Sequence, residues 1–221
     1  MAEDELDIDD LSQRLDSEGM IGFTESFVSD LRKGFSVLNE NQYPWLIDIK
    51  SSDWKGVLCF GMGGSAAGGD FLARIADASG SIPFVVHRDY QLPTWWTKDW
   101  LILATSHSGN TEETFAATET ALKHGATVVV IATGGALAGL CELYENCHLI
   151  PSIAGQPPRT AFGHLFSRQL ALIEYLEFVP GQQPHLREEM LNRLEKAIHA
   201  NDFRTPQGTP LLDLAMSLRE R

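Results

Sequence analysis

Two small-residue turns, set about forty residues apart, carry the groups best suited to chemistry. The first is Gly61-Met62-Gly63-Gly64-Ser65, directly after the apolar run Val57-Leu58-Cys59-Phe60. The second is Ser106-His107-Ser108-Gly109-Asn110-Thr111, directly after Leu101-Ile102-Leu103-Ala104-Thr105. Each turn follows an expected strand and opens an expected helix. A turn of that kind presents backbone N–H groups at the positive end of a helix, which attracts an anion. The second turn adds the hydroxyls of Ser106, Ser108 and Thr111, and neither turn contains lysine or arginine. Hydroxyls and amides without a cation suit one phosphate, as on a sugar phosphate, better than a nucleoside triphosphate.

The elements that must position these turns follow from hydrophobic pattern. Strands are expected at 57–60, 82–86, 100–105, 127–132 and 148–150, and helices at 66–78, 111–124, 136–142, 160–178 and 186–200. The run Val128-Val129-Val130-Ile131 is continuous, as for a strand covered on both faces. Upstream, Ile21, Phe23, Phe27, Leu31, Phe35 and Leu38 recur at helical spacing between about residues 20 and 38. Strands alternating with helices imply right-handed βαβ units around a parallel sheet. The expected fold is a three-layer αβα sandwich on five parallel strands in flavodoxin-like order 2-1-3-4-5. In such a sheet, ligands bind at the carboxyl ends of the strands where strand order reverses. The first and third strands meet there, so both turns would face one cleft. Gly63 and Gly64 would let the backbone approach a sugar closely.

Two other readings of the turns compete. Serines often cap helices, so Ser108 or Asn110 could simply cap helix 111–124. Gly61, Gly63 and Ala66 also match a Gly-x-Gly-x-x-Ala dinucleotide pattern, and Arg88 could accept a 2′-phosphate, which would make the protein an NADP-dependent oxidoreductase. A dinucleotide site has no need of three hydroxyls after the third strand.

Composition sets the wider limits. The chain has 221 residues with 30 acidic side chains against 17 lysines and arginines, a net charge of −13. No basic stripe offers itself to nucleic acid, and acidic membrane surfaces are disfavoured. The three cysteines, Cys59, Cys141 and Cys147, are sparse and odd in number, as expected in a reducing compartment. Cys141 and Cys147 do not show metal-binding CxxC spacing, and no metal or other cofactor is called for. The N-terminus is acidic where a signal peptide is basic, and no apolar run approaches ~20 residues. A soluble cytoplasmic protein is the expectation. Residues 201–210 read as a linker and 211–221 as the start of another helix, so the chain is expected to be incomplete in some sense.

The two turns together, extended through Glu112-Glu113-Thr114, resemble the sugar isomerase (SIS) domain. More narrowly, the chain resembles the bifunctional phosphoglucose/phosphomannose isomerase family. Asp16-Ser17-Glu18-Gly19-Met20 is similar to that family's D-x-x-G-M segment, and Pro158-Arg159-Thr160-Ala161 to its Pro-Arg-x-Ala segment. The similarity runs over about residues 16–180. It implies an acidic N-terminal segment at 1–19, an SIS domain at 20–180, and a helix and linker at 181–221 leading towards a second SIS domain.

The resemblance also implies roles. Ser106, Ser108 and Thr111 would hold the substrate phosphate, Gly63, Gly64 and Ser65 would line the sugar, and Arg159 would stabilise an enediolate. An arginine at a helix start is unfavourable against the helix dipole, which modestly favours a functional reason for Arg159. His107 departs from the family, which commonly has tyrosine there; it is either a spacer pointing away or a titratable donor near the phosphate. The family's catalytic glutamate and ring-opening histidine lie in the second domain, and no residue here matches them. Glu112 and Glu113 suit a helix N-terminus better than a base, and His164 is a weak substitute. The functions implied are an aldose–ketose isomerase of sugar phosphates or its phosphate-binding half, or else a non-catalytic SIS module that binds a phosphosugar. The apolar residues Phe162, Leu165, Phe166, Leu170, Leu172, Ile173, Leu176, Met190, Leu191 and Leu194 predict a homodimer, or a partner chain supplying the second domain.

Overall fold

The computed structural model describes residues 8–202 and 210–219. It forms two compact units: residues 29–182, and the described parts of 1–28 together with 183–221. The remaining residues of the acidic N-terminal segment and of the expected linker lie outside the described residues.

The larger unit is built on β1 (Gly56–Phe60), β2 (Phe84–His87), β3 (Trp100–Thr105), β4 (Val128–Ala132) and β5 (Cys147–Pro151). All pairings are parallel and the order is β2-β1-β3-β4-β5, as the sequence pattern requires. The register sets Leu58 beside Val85 on one side and Ile102 on the other. Every residue of β1 and β4 is buried, which explains why those runs lack a polar alternation.

Side chains still alternate in direction along each strand, so the sheet has two cores. Val57, Cys59, Leu101, Leu103, Val129 and Ile131 face one side, where they meet Leu72 and Ala76 of α5 (Gly63–Ser79) and Leu165, Leu172 and Ile173 of α8 (Phe162–Tyr175). Leu58, Phe60, Ile102, Ala104, Val128 and Val130 face the other. There they meet Ala117 and Ala121 of α6 (Glu112–Lys123) and Leu137 and Leu140 of α7 (Gly135–Leu143). The result is the αβα sandwich.

Three expectations need correction. The periodic stretch 20–38 is not one helix: it divides at Ser26 into α2 (Met20–Glu25) and α3 (Phe27–Phe35). A short helix unforeseen in the sequence, α4 (Trp45–Ser51), plugs Leu46 and Ile49 into the first core. Two apolar side chains three apart are too brief a pattern to read as a helix. Finally, the apolar residues of 160–176 are not a free face. Leu165, Leu172, Ile173 and Leu176 are buried against the sheet, and Phe166 and Leu170 pack on the same core.

The smaller unit holds α1 (Ile8–Leu15), α2, α9 (Pro184–Ala200) and α10 (Pro210–Arg219). Asp16 there accepts the amides of Met20 and Ile21 at 2.6 and 2.9 Å. The D-x-x-G-M segment is therefore a helix-starting device, with Asp16 satisfying two of the unpaired N–H groups at the start of α2. Leu191 is buried, whereas Met190 and Leu194 of α9 are exposed. Among the described residues, no helix is long and apolar enough to cross a membrane.

Helices α5 and α8 approach each other at Gly68, where an added Cβ would sit 1.9 Å from Oε1 of Gln169. The Gln169 amide nitrogen in turn donates to Thr105 Oγ1 at 2.8 Å, in a fully buried bond at the end of β3. Gly68→Ala is expected to displace Gln169 and cost about 1–3 kcal/mol for the orphaned group. Helix propensity returns about 1 kcal/mol of that. Urea unfolding should show a net loss; a gain in stability would mean that Gln169 moves aside without loss.

Candidate functional site

The carboxyl ends of β1 and β3 lie side by side, and each feeds a turn that opens a helix. Gly63 begins α5, and Thr111 is the N-cap of α6. Between them, closed on a third side by the loop before α8, lies a cleft of about 610 Å³. Its walls include Gly63, Gly64 and Ser65 from the first turn, His107, Ser108 and Thr111 from the second, and Pro158, Arg159 and Phe162 from the loop and helix start. Six of the seven residues singled out in the sequence thus meet at one opening.

The seventh, Ser106, stands behind them. It is 1% exposed, and its hydroxyl lies 2.8 Å from Thr111 Oγ1. The same oxygen accepts the Gly109 amide at 3.1 Å. The arrangement that satisfies all three groups has Ser106 donating to Thr111, which leaves the Thr111 proton for the cleft. Ser106 therefore reaches the opening only through Thr111, as its position directly after the buried run Leu101–Thr105 implies.

Helix capping does not consume the hydroxyls. Thr111, the N-cap of α6, makes no capping bond with its side chain. Asn110 caps a different helix: its Oδ1 accepts the Ala136 amide at 2.9 Å, in the first turn of α7. Ser108 Oγ accepts the Asn110 amide at 3.2 Å, and Ser65 Oγ accepts the His107 amide at 3.3 Å. Both hydroxyls keep their own protons. The opening thus offers hydroxyl donors from Ser65, Ser108 and Thr111 beside two helix N-termini, a setting that favours an anion.

The hydroxyl turn is braced from outside its own sequence. Thr133 donates to the His107 carbonyl through both its amide, at 3.0 Å, and its hydroxyl, at 2.7 Å. The Leu137 amide donates to the Gly109 carbonyl at 2.9 Å. Gly109 has φ +70°, and a Cβ there would sit 1.8 Å from the Gly134 carbonyl oxygen. Left-handed backbone and steric closeness both demand glycine. Thr133 and Gly134 carried no signal in the sequence, because their partners are backbone atoms in a different βα unit.

His107 lines the cleft but is not a loose spacer. Its Nε2 lies 2.9 Å from the Gln156 carbonyl, tying the hydroxyl turn to the loop that carries Arg159. Gln156 is held further: its amide nitrogen donates to Asp30 Oδ2 at 2.8 Å. Asp30 Oδ1 also lies 3.2 Å from His164 Nε2, with Asp30 and His164 almost fully buried. His164 is thus a core histidine paired with a carboxylate, and it does not line the cleft. Burial holds its pKa below the ordinary imidazole value, with Asp30 acting in the opposite direction. Arg159 itself is exposed, in the turn before α8. Arg88 is paired with the Asp70 carboxylate. Glu112 and Glu113 are absent from the cleft wall, and both raise the pKa of the Tyr90 phenol, whose main perturbation is desolvation.

This combination of sheet order, helix-end turns and hydroxyl cradle defines the class: the fold is that of the SIS domains of phosphosugar isomerases. Tagatose-6-phosphate ketose/aldose isomerase from Escherichia coli superposes with a TM-score of 0.62 at 17% identity, over 81% of this chain and 54% of that one. The NanR protein of Vibrio vulnificus, solved in complex with ManNAc-6P, gives 0.56 at 20% identity, over 86% of this chain and 71% of that one. No protein-family model matches the chain.

By sequence the chain is similar to the bifunctional phosphoglucose/phosphomannose isomerases. It is 35% identical over 142 residues to that protein from Caldicellulosiruptor bescii, covering 64% of this chain and 42% of the relative. Four further relatives of the same name match at 31–35% identity. The match spans about two fifths of the length of these relatives, at 35–42%.

Buried His164 and half-buried His148 make stability depend on pH. His164 and His148 both have pKa values lowered mainly by burial, below the ordinary 6.5. The unfolded chain then binds more protons, so their contribution is complete above pH ~6.5 and is lost as pH falls towards the depressed folded values. The unfolding free energy should decline between pH 7 and 5, and His164→Gln should flatten that decline while retaining a donor for Asp30. An unchanged slope in the variant would show that His164 titrates alike in both states.

Proposed function

We propose that the cleft binds the phosphate of a sugar phosphate, and that the chain contributes the substrate-binding half of an aldose–ketose isomerisation of the phosphoglucose/phosphomannose type. The observation that carries this reading is the convergence of unengaged hydroxyl protons and two helix N-termini on an opening that also holds Arg159. Similarity to the bifunctional isomerases supports it. In this reading Ser108 and Thr111 hold the phosphate directly, Ser106 orients Thr111, and Gly63, Gly64 and Ser65 line the sugar. A base removes the C2 proton of the opened sugar, the guanidinium of Arg159 stabilises the enediolate, and the proton returns to C1. A fixed cation beside developing negative charge needs no reorganisation during the step.

The cleft wall contains no carboxylate among the described residues. We therefore infer that the base comes from outside this wall, from a second copy or a partner chain. The same observation favours a second reading, a phosphosugar-binding module without catalysis. The dinucleotide alternative is weakened by the pairing of Arg88 with Asp70. We place the protein in the cytoplasm, with a small phosphorylated sugar as ligand, without nucleic-acid or membrane partners and without a metal or nucleotide cofactor.

Titration calorimetry with fructose 6-phosphate, run beside a coupled assay for glucose 6-phosphate, tests both readings. Ser108→Ala and Thr111→Val are each expected to weaken binding by roughly tenfold, from the loss of one hydrogen bond to a charged group. Arg159→Ala should leave binding within about threefold and reduce turnover by about a hundredfold or more. Tight binding without turnover in the unaltered chain selects the non-catalytic module. Unchanged affinity in both hydroxyl variants would overturn the site.

A further inference from the structure

The three cysteines differ sharply in setting. Cys59 is buried in β1, where burial pushes its thiol up to about 12. Cys141, in the last turn of α7, and Cys147, the first residue of β5, have sulfurs only 3.2 Å apart. Five residues separate them in sequence, a spacing with no meaning of its own. They meet because α7 ends at Tyr144, whose carbonyl accepts the Cys147 amide at 3.1 Å and closes the intervening turn.

We propose that Cys141 and Cys147 form an oxidisable dithiol, a modification site that closes to an intramolecular disulfide by exchange with a low-molecular-weight disulfide. The sulfurs need to approach by only about 1.2 Å to reach bonding distance, usually near 2.05 Å. Access and acidity divide the roles. Cys141 is half-buried and adjoins Glu142 and Leu143, with Leu143 77% exposed, whereas Cys147 is buried. Cys141 Sγ donates to the Leu137 carbonyl at 3.6 Å, which leaves Cys147 as donor in the sulfur pair; that bond lowers the pKa of Cys141 and, with burial, raises that of Cys147. Cys141 is therefore the attacking thiolate and Cys147 the resolving thiol.

The chemistry balances in two exchanges. The Cys141 thiolate attacks one sulfur of the small disulfide, forms a mixed disulfide and expels a small thiolate. The Cys147 thiol, on losing its proton, attacks the Cys141 sulfur and expels the second small thiolate. Two electrons pass from the protein to the small disulfide, and the two cysteine protons end on the two released thiols. The ring so formed staples α7 to β5 behind the phosphate turn, because the first turn of α7 supplies the amides that Asn110 and Gly109 accept. It does not touch the cleft wall, so this proposal stands whether or not the cleft binds a sugar phosphate.

The test uses the full chain, reduced and then incubated with excess glutathione disulfide. Intact mass is measured before and after alkylation in denaturant. The reduced chain takes three alkyl groups, matching its three cysteines. The oxidised chain is expected to take one, to carry no glutathione adduct, and to weigh about 2 Da less than the reduced chain. Cys147→Ser should trap a single glutathione on Cys141, and Cys141→Ser should keep both of its remaining thiols without adduct. Three alkyl groups after oxidation, or a stable adduct on the unaltered chain, would overturn the proposal. Loss of thiols in Cys141→Ser would overturn it as well, by showing that Cys59 takes part.

Discussion

A turn that points its hydroxyls at a ligand must have its own backbone satisfied by something else. This constraint governs the site. Between Ser106 and Thr111 the chain belongs neither to β3 nor to α6, and its carbonyls lie close to the sheet, where an unpaired polar group costs free energy. The solution comes from the next βα unit. Thr133 serves the His107 carbonyl twice, Leu137 serves that of Gly109, and Ala136 occupies the Asn110 side chain. With these bonds made elsewhere, Ser108 and Thr111 are left facing the cleft. The parallel sheet order is what brings β4 beside β3, so the cradle depends on topology as much as on its own residues.

The same logic places Arg159. The loop before α8 has no regular structure of its own to hold it. It is pinned at Gln156, whose carbonyl meets His107 Nε2 and whose amide nitrogen meets buried Asp30. Asp30 is also engaged by His164, so one carboxylate on α3 gathers two groups from the Arg159 side of the molecule. A buried, shared carboxylate of this kind fixes geometry because leaving any member unpaired is costly. The exposed guanidinium thus stands on a buried polar foundation.

The chemical balance of the cleft is unusual for so acidic a chain. With a net charge of −13, the protein as a whole repels anions. Among the described residues, the cleft wall nevertheless contains no acidic side chain and one arginine. Local dipoles from the starts of α5 and α6 act at close range, where the distant negative charges are screened. Donors suited to an anion are thus gathered at the opening and not spread over the surface.

The amino-acid sequence by itself determined the sheet and both turns. Continuous apolar runs such as Val128 to Ile131 announce strands buried on two faces, and small residues with hydroxyls after a strand announce a turn that opens a helix, because both signals are local. Tertiary structure decided the rest. Ser106 lies behind Thr111 because the buried run Leu101–Thr105 of β3 keeps the chain inside up to that point. Helix α4 exists because a gap in the first core accepts Leu46 and Ile49, not because seven residues favour helix unaided. His164, which the sequence offers as a stray titratable group, became a partner of Asp30, 134 residues away in the chain. Cys141 and Cys147 meet only once α7 has docked beside β5. The reason is the same in each case: pattern along the chain fixes which face of an element is apolar, but pairing between polar groups is settled only when distant elements close to within hydrogen-bonding distance.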